Sequence, residues 1–175
     1  MDKPPTLGFR FWRVMPGPTY WGWIYDAEWA LEGATEAHHR TEARLYRAKD
    51  ANLLQGHGIA PHRDCNCGIY AFHRPPQLDD ITKFSARMSI PTRAPDPLSK
   101  PEAVAGAMIA WGKIQVHVEG FRAQYARPVA FVNRDELGNL IGPVARSLAE
   151  RLGLPVIQRE HIERYAAEFG QVRPA

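Results

Sequence analysis

Between Ala103 and Val132 apolar side chains fall on alternate positions, and that period restricts the fold more than any other feature of the chain. Val104, Met108, Ile114, Val116 and Val118 share the even-numbered face. The odd-numbered face starts with Ile109 and Trp111 and passes to Lys113, Gln115 and His117. A strand of this kind is buried on both sides at first and wet on one side later. Glu119-Gly120 supplies a turn, and Phe121 to Val132 a second strand. A helix competes for the first half, because Ser99-Lys100-Pro101-Glu102 matches a capping box and the alanines after it favour helix. The alternation predicts the hairpin.

Leu7 to Val14 and Thr19 to Tyr25 read as two further strands joined by the turn residues Met15-Pro16-Gly17-Pro18. Ala34 to Lys49 is rich in Ala, Glu and Arg and reads as a helix, with a strand ending near Tyr46 as the competing reading. Residues 50–66 read as a loop, Gly68 to Phe72 as a short buried strand, and Pro75 to Arg87 as a short helix. Met88 to Lys100 holds three prolines and reads as an exposed connection. The chain is therefore expected to form a single domain over residues 1–175, and any internal boundary falls at residues 88–100. Towards the C-terminus, Leu137, Leu140, Ile141, Val144, Leu148 and Leu152 keep helical spacing. Gly142-Pro143 splits or kinks that helix, and Gly153 suits its C-terminal cap. Leu154 to Ile157 reads as a short strand or link, and Ile162, Tyr165, Ala166 and Phe169 mark a last amphipathic helix stopped by Gly170. The expected fold class is α+β, a bent antiparallel sheet with the C-terminal helices packed on it.

The 175 residues are 45% apolar and 23% charged, which is ordinary for a globular protein able to bury a core without disulfides. Twenty-two basic and nineteen acidic residues are interspersed, so the formal charge is only +3. Dedicated nucleic-acid binders concentrate their charge more than this. No run of apolar residues is long enough to span a bilayer. No apolar segment follows Met1-Asp2-Lys3-Pro4-Pro5, so no signal peptide is expected and the compartment read from the sequence is the cytoplasm.

Chemistry concentrates in the middle of the chain. The run Gly56 to His73 holds both cysteines and three of the seven histidines, and thiolate and imidazole are the side chains that bind zinc. A zinc site would use Cys65, Cys67, His57 and His62, with His73, His38 or His39 in reserve. Cys65 and Cys67 have one residue between them, whereas paired zinc cysteines typically have about two to four. The same spacing strains a disulfide. Two other readings stand beside the metal one. In the first, the thiols are small buried hydrophobes and the histidines are solvated. In the second, Cys67 is a nucleophile activated by a nearby histidine.

Four of the five tryptophans lie within the first 29 residues, and Arg10 and Arg13 alternate there with Phe9, Phe11 and Trp12. Aromatics interleaved with Arg stack on single-stranded nucleic acid, anchor protein interfaces, or fill the core of a small sheet. Arg10, Trp12, Trp21 and Trp23 are the candidate contact residues. His38, His39, Glu36 and Glu42 read as a solvated face. The acidic pairs Asp79-Asp80 and Asp135-Glu136 sit where helices are expected to start and favour the helix dipole. The chain has no phosphate-binding Gly-rich loop, no Gly-x-Ser-x-Gly elbow and no His-Glu-x-x-His.

Cys65-Asn66-Cys67-Gly68-Ile69-Tyr70-Ala71, preceded by His57-Gly58-Ile59-Ala60-Pro61 and followed by Trp111-Gly112-Lys113-Ile114 and Gly120-Phe121-Arg122-Ala123, carries a resemblance. The chain resembles a group of small, largely uncharacterised proteins of actinobacteria and their phages over roughly residues 7–132. Early tryptophans such as Trp12 and Trp29 fit as well. Members often carry a further cysteine upstream, where Ala43-Arg44-Leu45-Tyr46 stands here. The resemblance implies strands over residues 104–132 and brings no activity.

Without a complete catalytic constellation, and with Arg and aromatics plentiful, the chain is expected to be a small, phage-encoded, non-catalytic binding protein acting on a protein partner. A nucleic-acid-binding accessory module is the second expectation, and a zinc- or thiol-dependent enzyme centred on the His/Cys run is the third. No cofactor is expected on the first two readings, and zinc on the third.

Overall fold

A computed structural model describes residues 5–14, 20–22, 29–30, 32–37, 59–63, 67–75, 102–133 and 141–172. Among them the elements run β1 (Thr6–Val14), β2 (Tyr20–Gly22), β3 (Thr35–Glu36), β4 (Ile69–Phe72), β5 (Glu102–Val116), β6 (Gly120–Val132), α1 (Pro143–Arg151), β7 (Val156–Ile157), a 3-10 turn (Arg159–His161), α2 (Ile162–Ala167) and β8 (Gln171–Val172). The fold is α+β and mostly β, an antiparallel sheet contacted by two short C-terminal helices.

The alternation over residues 103–132 produces the long hairpin β5–β6, not a helix. β1 lies antiparallel along the other flank of β5, from Thr6↔Ala110 to Val14↔Glu102. β4 pairs with β6 from Ile69↔Ala123 to Phe72↔Gly120 and touches β1 at Phe9↔Phe72. These pairings make a circuit: β1 to β5, β5 to β6, β6 to β4, and β4 back to β1. The sheet is bent because it closes on itself. β2 and β3 add antiparallel edges to β1 and β6, while β7 and β8 add short parallel ones.

Two irregularities set which residues face inward. Gly112 and Lys113 of β5 stand opposite the single residue Gln124, and Gly112 takes the positive φ of 76° that glycine tolerates. The Gln124 Oε1 accepts the Lys113 amide that the bulge frees, at 3.3 Å. A second shift leaves Val129 without a partner between the Ala107↔Ala130 and Met108↔Pro128 pairs. Each bulge flips the parity of β6, so Phe121, Ala123, Ala126 and Phe131 all lie on the face of Met108 and Ala110.

The inner face joins Trp12, Val14, Ile69, Ala71, Met108, Phe121 and Phe131 into one buried cluster, closed by Trp29 and by Ala145, Leu148 and Ala149 of α1. Trp12 is fully buried, with the Trp29 ring edge-on at 5.4 Å. The opposite face buries Leu7, Phe9, Ala105, Ala107 and Ile109 under Ile162 and Ala166 of α2.

α1 opens with Pro143, whose missing amide hydrogen is harmless in the first turn. It ends where Leu154 N–H reaches Ala149 O at 2.8 Å and Gly153 N–H reaches Glu150 O at 3.1 Å. Gly153 adopts φ 61°, so this is the glycine-dependent helix stop expected from the sequence. The expected helix beginning at Ala34 is instead a strand at its second and third positions, because Thr35 and Glu36 pair with Ala126 and Tyr125 of β6. Its remainder at 38–49, the helix expected from Pro75 to Arg87 apart from Pro75 itself, and the proposed boundary at 88–100 lie outside the described residues. No helix among the described residues is long and apolar enough to cross a membrane.

Candidate functional site

Arg122 sits on the outer face of β6, flanked by its sheet partners Gln115 and Tyr70, yet it is only 3% exposed. A buried guanidinium needs acceptors for its five N–H groups, and the structure supplies them from three directions. Nη2 donates to Gln115 Oε1 at 2.6 Å, and Nε donates to His117 Nε2 at 3.1 Å. Nη1 donates to the carbonyl oxygen of Cys67 at 3.1 Å, and Nη2 reaches that of His62 at 3.4 Å. The guanidinium also stands 5.6 Å from the Tyr70 ring centroid, within cation–π range.

The described part of the His/Cys run is thus a cover laid over Arg122. Ala60 and Pro61 are buried. Gly68, at φ 118°, lets the backbone pass close, because a Cβ there would stand 3.0 Å from both Arg122 Cβ and Pro61 Cβ. His62 and Cys67 are half-buried and meet Arg122 through backbone oxygens. Cys65 and His57, the other candidate zinc ligands, lie outside the described residues. Among the described residues, no group of three or more His, Cys, Asp or Glu side chains is placed to hold a metal ion.

His73, also from the run, is buried beside Phe121. Its Nε2 lies 3.0 Å from the carbonyl oxygen of His117, so Nε2 carries the hydrogen and donates it. Its Nδ1 is buried without a hydrogen-bond partner. His73 N–H donates to Glu119 O at 3.1 Å. The turn between β5 and β6 is therefore held twice, by His73 through its backbone and by Arg122 through the His117 ring. Burial, and then the charge of Arg122, lower the His117 pKa below the usual 6.5.

The N-terminal candidates divide differently. Arg10 and Trp12 face the inside of the curled sheet and are 3% and 0% exposed, so they are core residues in this structure. Arg10 Nη1 donates to Tyr70 O at 3.0 Å, and its guanidinium lies 4.8 Å from the Trp29 ring centroid. Trp21 lies in β2 opposite Arg13, and Trp23 lies outside the described residues. The exposed large apolar side chains among the described residues are elsewhere. Val118, in the β5–β6 turn, is 85% exposed, and Val116, Ile59 and Phe169 are also open to solvent.

Sequence reading missed Arg122, Gln115 and His117 as one unit. The signal was Gly120-Phe121-Arg122-Ala123, a charged residue inside an otherwise apolar strand start. Its meaning depends on the bulge that sets the face of β6. No protein-family model, no curated protein and no solved structure matches this chain.

Proposed function

We propose that the chain is a small, phage-encoded, cytoplasmic binding protein that acts on a protein partner and carries no catalytic centre of its own. The observation that carries this reading is the β5–β6 turn, a rigidly held element that presents Val118 at 85% exposure beside the exposed Val116. Apolar side chains held out on a fixed support suit a partner surface, because little ordering entropy is lost on contact. The engagement of the His62 and Cys67 carbonyls with Arg122 supports it further, since those residues of the His/Cys run then have a structural use. The origin and compartment in this proposal rest on the Cys-x-Cys-Gly-Ile-Tyr-Ala box and on the apolar pattern of the sequence.

The experiment is a capture assay from host lysate with immobilised wild type and Val118→Asp. A partner retained by the wild type and lost by the variant is the expected result. No specific retention, together with turnover of a small substrate that Cys67→Ser abolishes, overturns the proposal.

One observation favours the nucleic-acid reading as a second choice. Trp111 and Tyr125 stack across β5 and β6 at 6.1 Å on the outer face, and Lys113 and Arg127 near them are exposed. Half-buried rings flanked by cations are what stack on single strands. On this reading heparin retains the protein, and affinity for an oligonucleotide falls steeply with salt.

A further inference from the structure

β5 is longer than its pairing with β1. The two strands run together from Val14↔Glu102 only as far as Thr6↔Ala110, and residues 111–116 of β5 project beyond. The overhang is about 20 Å of strand. One flank of it pairs with β6, and no strand among the described residues pairs with the other. The ladder shows which backbone groups this leaves. His117 N–H donates to Gly120 O at 2.8 Å, so that pair is a bonded one. In an antiparallel ladder bonded and non-bonded pairs alternate. Gln115↔Arg122 is therefore bonded, while Val116↔Phe121 and Ile114↔Ala123 are not. Phe121 and Ala123 turn their groups towards Ala71 and Ile69 of β4. Ile114 and Val116 turn theirs away from the sheet, on an edge where Val116 and Lys113 are exposed. Their N–H and C=O groups stand in a row at strand spacing, and the occupant that meets all of them is another strand.

We propose that this edge pairs with a second copy of the chain, antiparallel, about a two-fold axis at Gln115. Ile114 of each chain then exchanges both backbone bonds with Val116 of the second copy, and every outward group of the two residues is satisfied. Three features of the overhang fit its own copy. Ile114 opposite Val116 sets apolar against apolar and covers the exposed Val116. Lys113 comes within diagonal reach of Glu119 of the second copy, and both are exposed, so opposite charges meet at each end. The lengths match as well. His117, the last residue before the turn, stands opposite Lys113 of the second copy, where the Gly112–Lys113 bulge ends the regular edge. Each hairpin thus stops short of the other copy's β1, which begins opposite Ala110. The pairing is isologous and consumes both edges, so it closes at two chains and does not propagate. The contact is small beside the roughly 1,200–2,000 Å² of a standard interface, so the dimer exchanges with monomer and responds to concentration.

This self-pairing does not rest on the function proposed above, and its test uses the full chain without any partner. Sedimentation equilibrium between about 10 µM and about 1 mM should show the average mass rising from one chain towards two. Over the same range, exchange of the Ile114 and Val116 amides should slow at least about fivefold, whereas the Gln115 and His117 amides, already bonded inside the hairpin, should change much less. In a mixture of labelled and unlabelled chains, an intermolecular contact between the two Gln115 α-hydrogens should report the register. Val116→Pro removes an outward N–H that the hairpin does not use, and Val116→Lys keeps the backbone but sets a charge against Ile114 of the second copy. Both should stay at the mass of one chain, and Val116→Lys carries the test alone if the proline disturbs folding. A wild type with the mass of one chain at every concentration overturns the proposal. So does association that Val116→Lys leaves unchanged, or intermolecular contacts that omit residues 114–116.

Discussion

Arg122 donates from Nη1 to the backbone oxygen of Cys67, 55 positions earlier in the chain and 3.1 Å away in space. The bond ties the Cys-x-Cys box to the sheet through a group that no thiol chemistry requires. A cysteine prominent in the sequence thereby acts through its peptide carbonyl.

Arg122→Met should destabilise the protein by at least about 2 kcal/mol, because several buried or half-buried acceptors lose a charged donor together. Arg122→Lys should recover little, since one ammonium cannot reproduce the planar fork that reaches Gln115, His117 and two carbonyls. Urea unfolding checks both, with a lower midpoint at unchanged slope as the expected outcome.

Trp12 fills the inner face, and its Nε1 has no hydrogen-bond partner. Trp12→Ala should cost about 3–5 kcal/mol. Trp12→Phe should cost clearly less, since it keeps most of the ring volume and removes the orphaned donor. Equal losses in the two variants, read from thermal or urea unfolding, would show that the indole nitrogen matters more than the burial suggests.

Gly120 lies where β6 meets β4, and a Cβ there would collide with the carbonyl oxygen of Ala71. The neighbour is backbone in a paired strand, so it cannot give way cheaply. Gly120→Ala should destabilise by about 1–3 kcal/mol and should selectively speed amide exchange in Ile69–Phe72. Uniform loss of protection throughout the sheet would count against a local collision.

The Tyr125 pKa is raised above its usual 10.0, first by desolvation and then by the phenol's hydrogen bond to Glu36 and that carboxylate's charge. In Glu36→Gln the carboxylate contribution disappears while the desolvation remains. Absorbance titration of the phenolates should show one tyrosine moving back part of the way towards 10.0. An unchanged titration would mean that Glu36 does not engage the phenol in solution.

His117 links stability to pH. Its folded-state value lies below the usual 6.5, so between 6.5 and that lower value the unfolded chain holds a proton the folded chain lacks. The contribution is therefore complete above 6.5 and is lost as the pH falls through the folded value. The urea midpoint of the wild type should drop over that window more than the midpoint of His117→Gln. Parallel pH profiles for the two proteins would contradict the assignment.

What the sequence revealed follows from the range of each interaction. β5 kept its period of two because its bulge residues Gly112 and Lys113 leave the parity of Ile114 and Val116 intact. The stop of α1 was visible because Pro143 and Gly153 act on their own backbone. β6 was found as a strand, but which of its residues face inward was not, because Gln124 and Val129 shift the faces by one. The pairing of Thr35–Glu36 with β6 overrode a local preference for helix. The use of Arg10 and Trp12 in the core was one of three readings their composition allowed, and only the closure of β4 onto β1 places them inside. The Arg122 cluster gathers residues from three separated segments, which no local pattern records.

The closed circuit of strands also bears on how the molecule avoids sticking to its own kind. β5 carries Ala103-Val104-Ala105-Gly106-Ala107-Met108-Ile109-Ala110, a long run without charge or proline that would readily template amyloid-like stacking from an open edge. With β1 along one flank and β6 along the other, its hydrogen-bonding groups meet strands of the same chain. Peeling β1 away would uncover that run, so the grip of the first strand guards against aggregation as much as it completes the core.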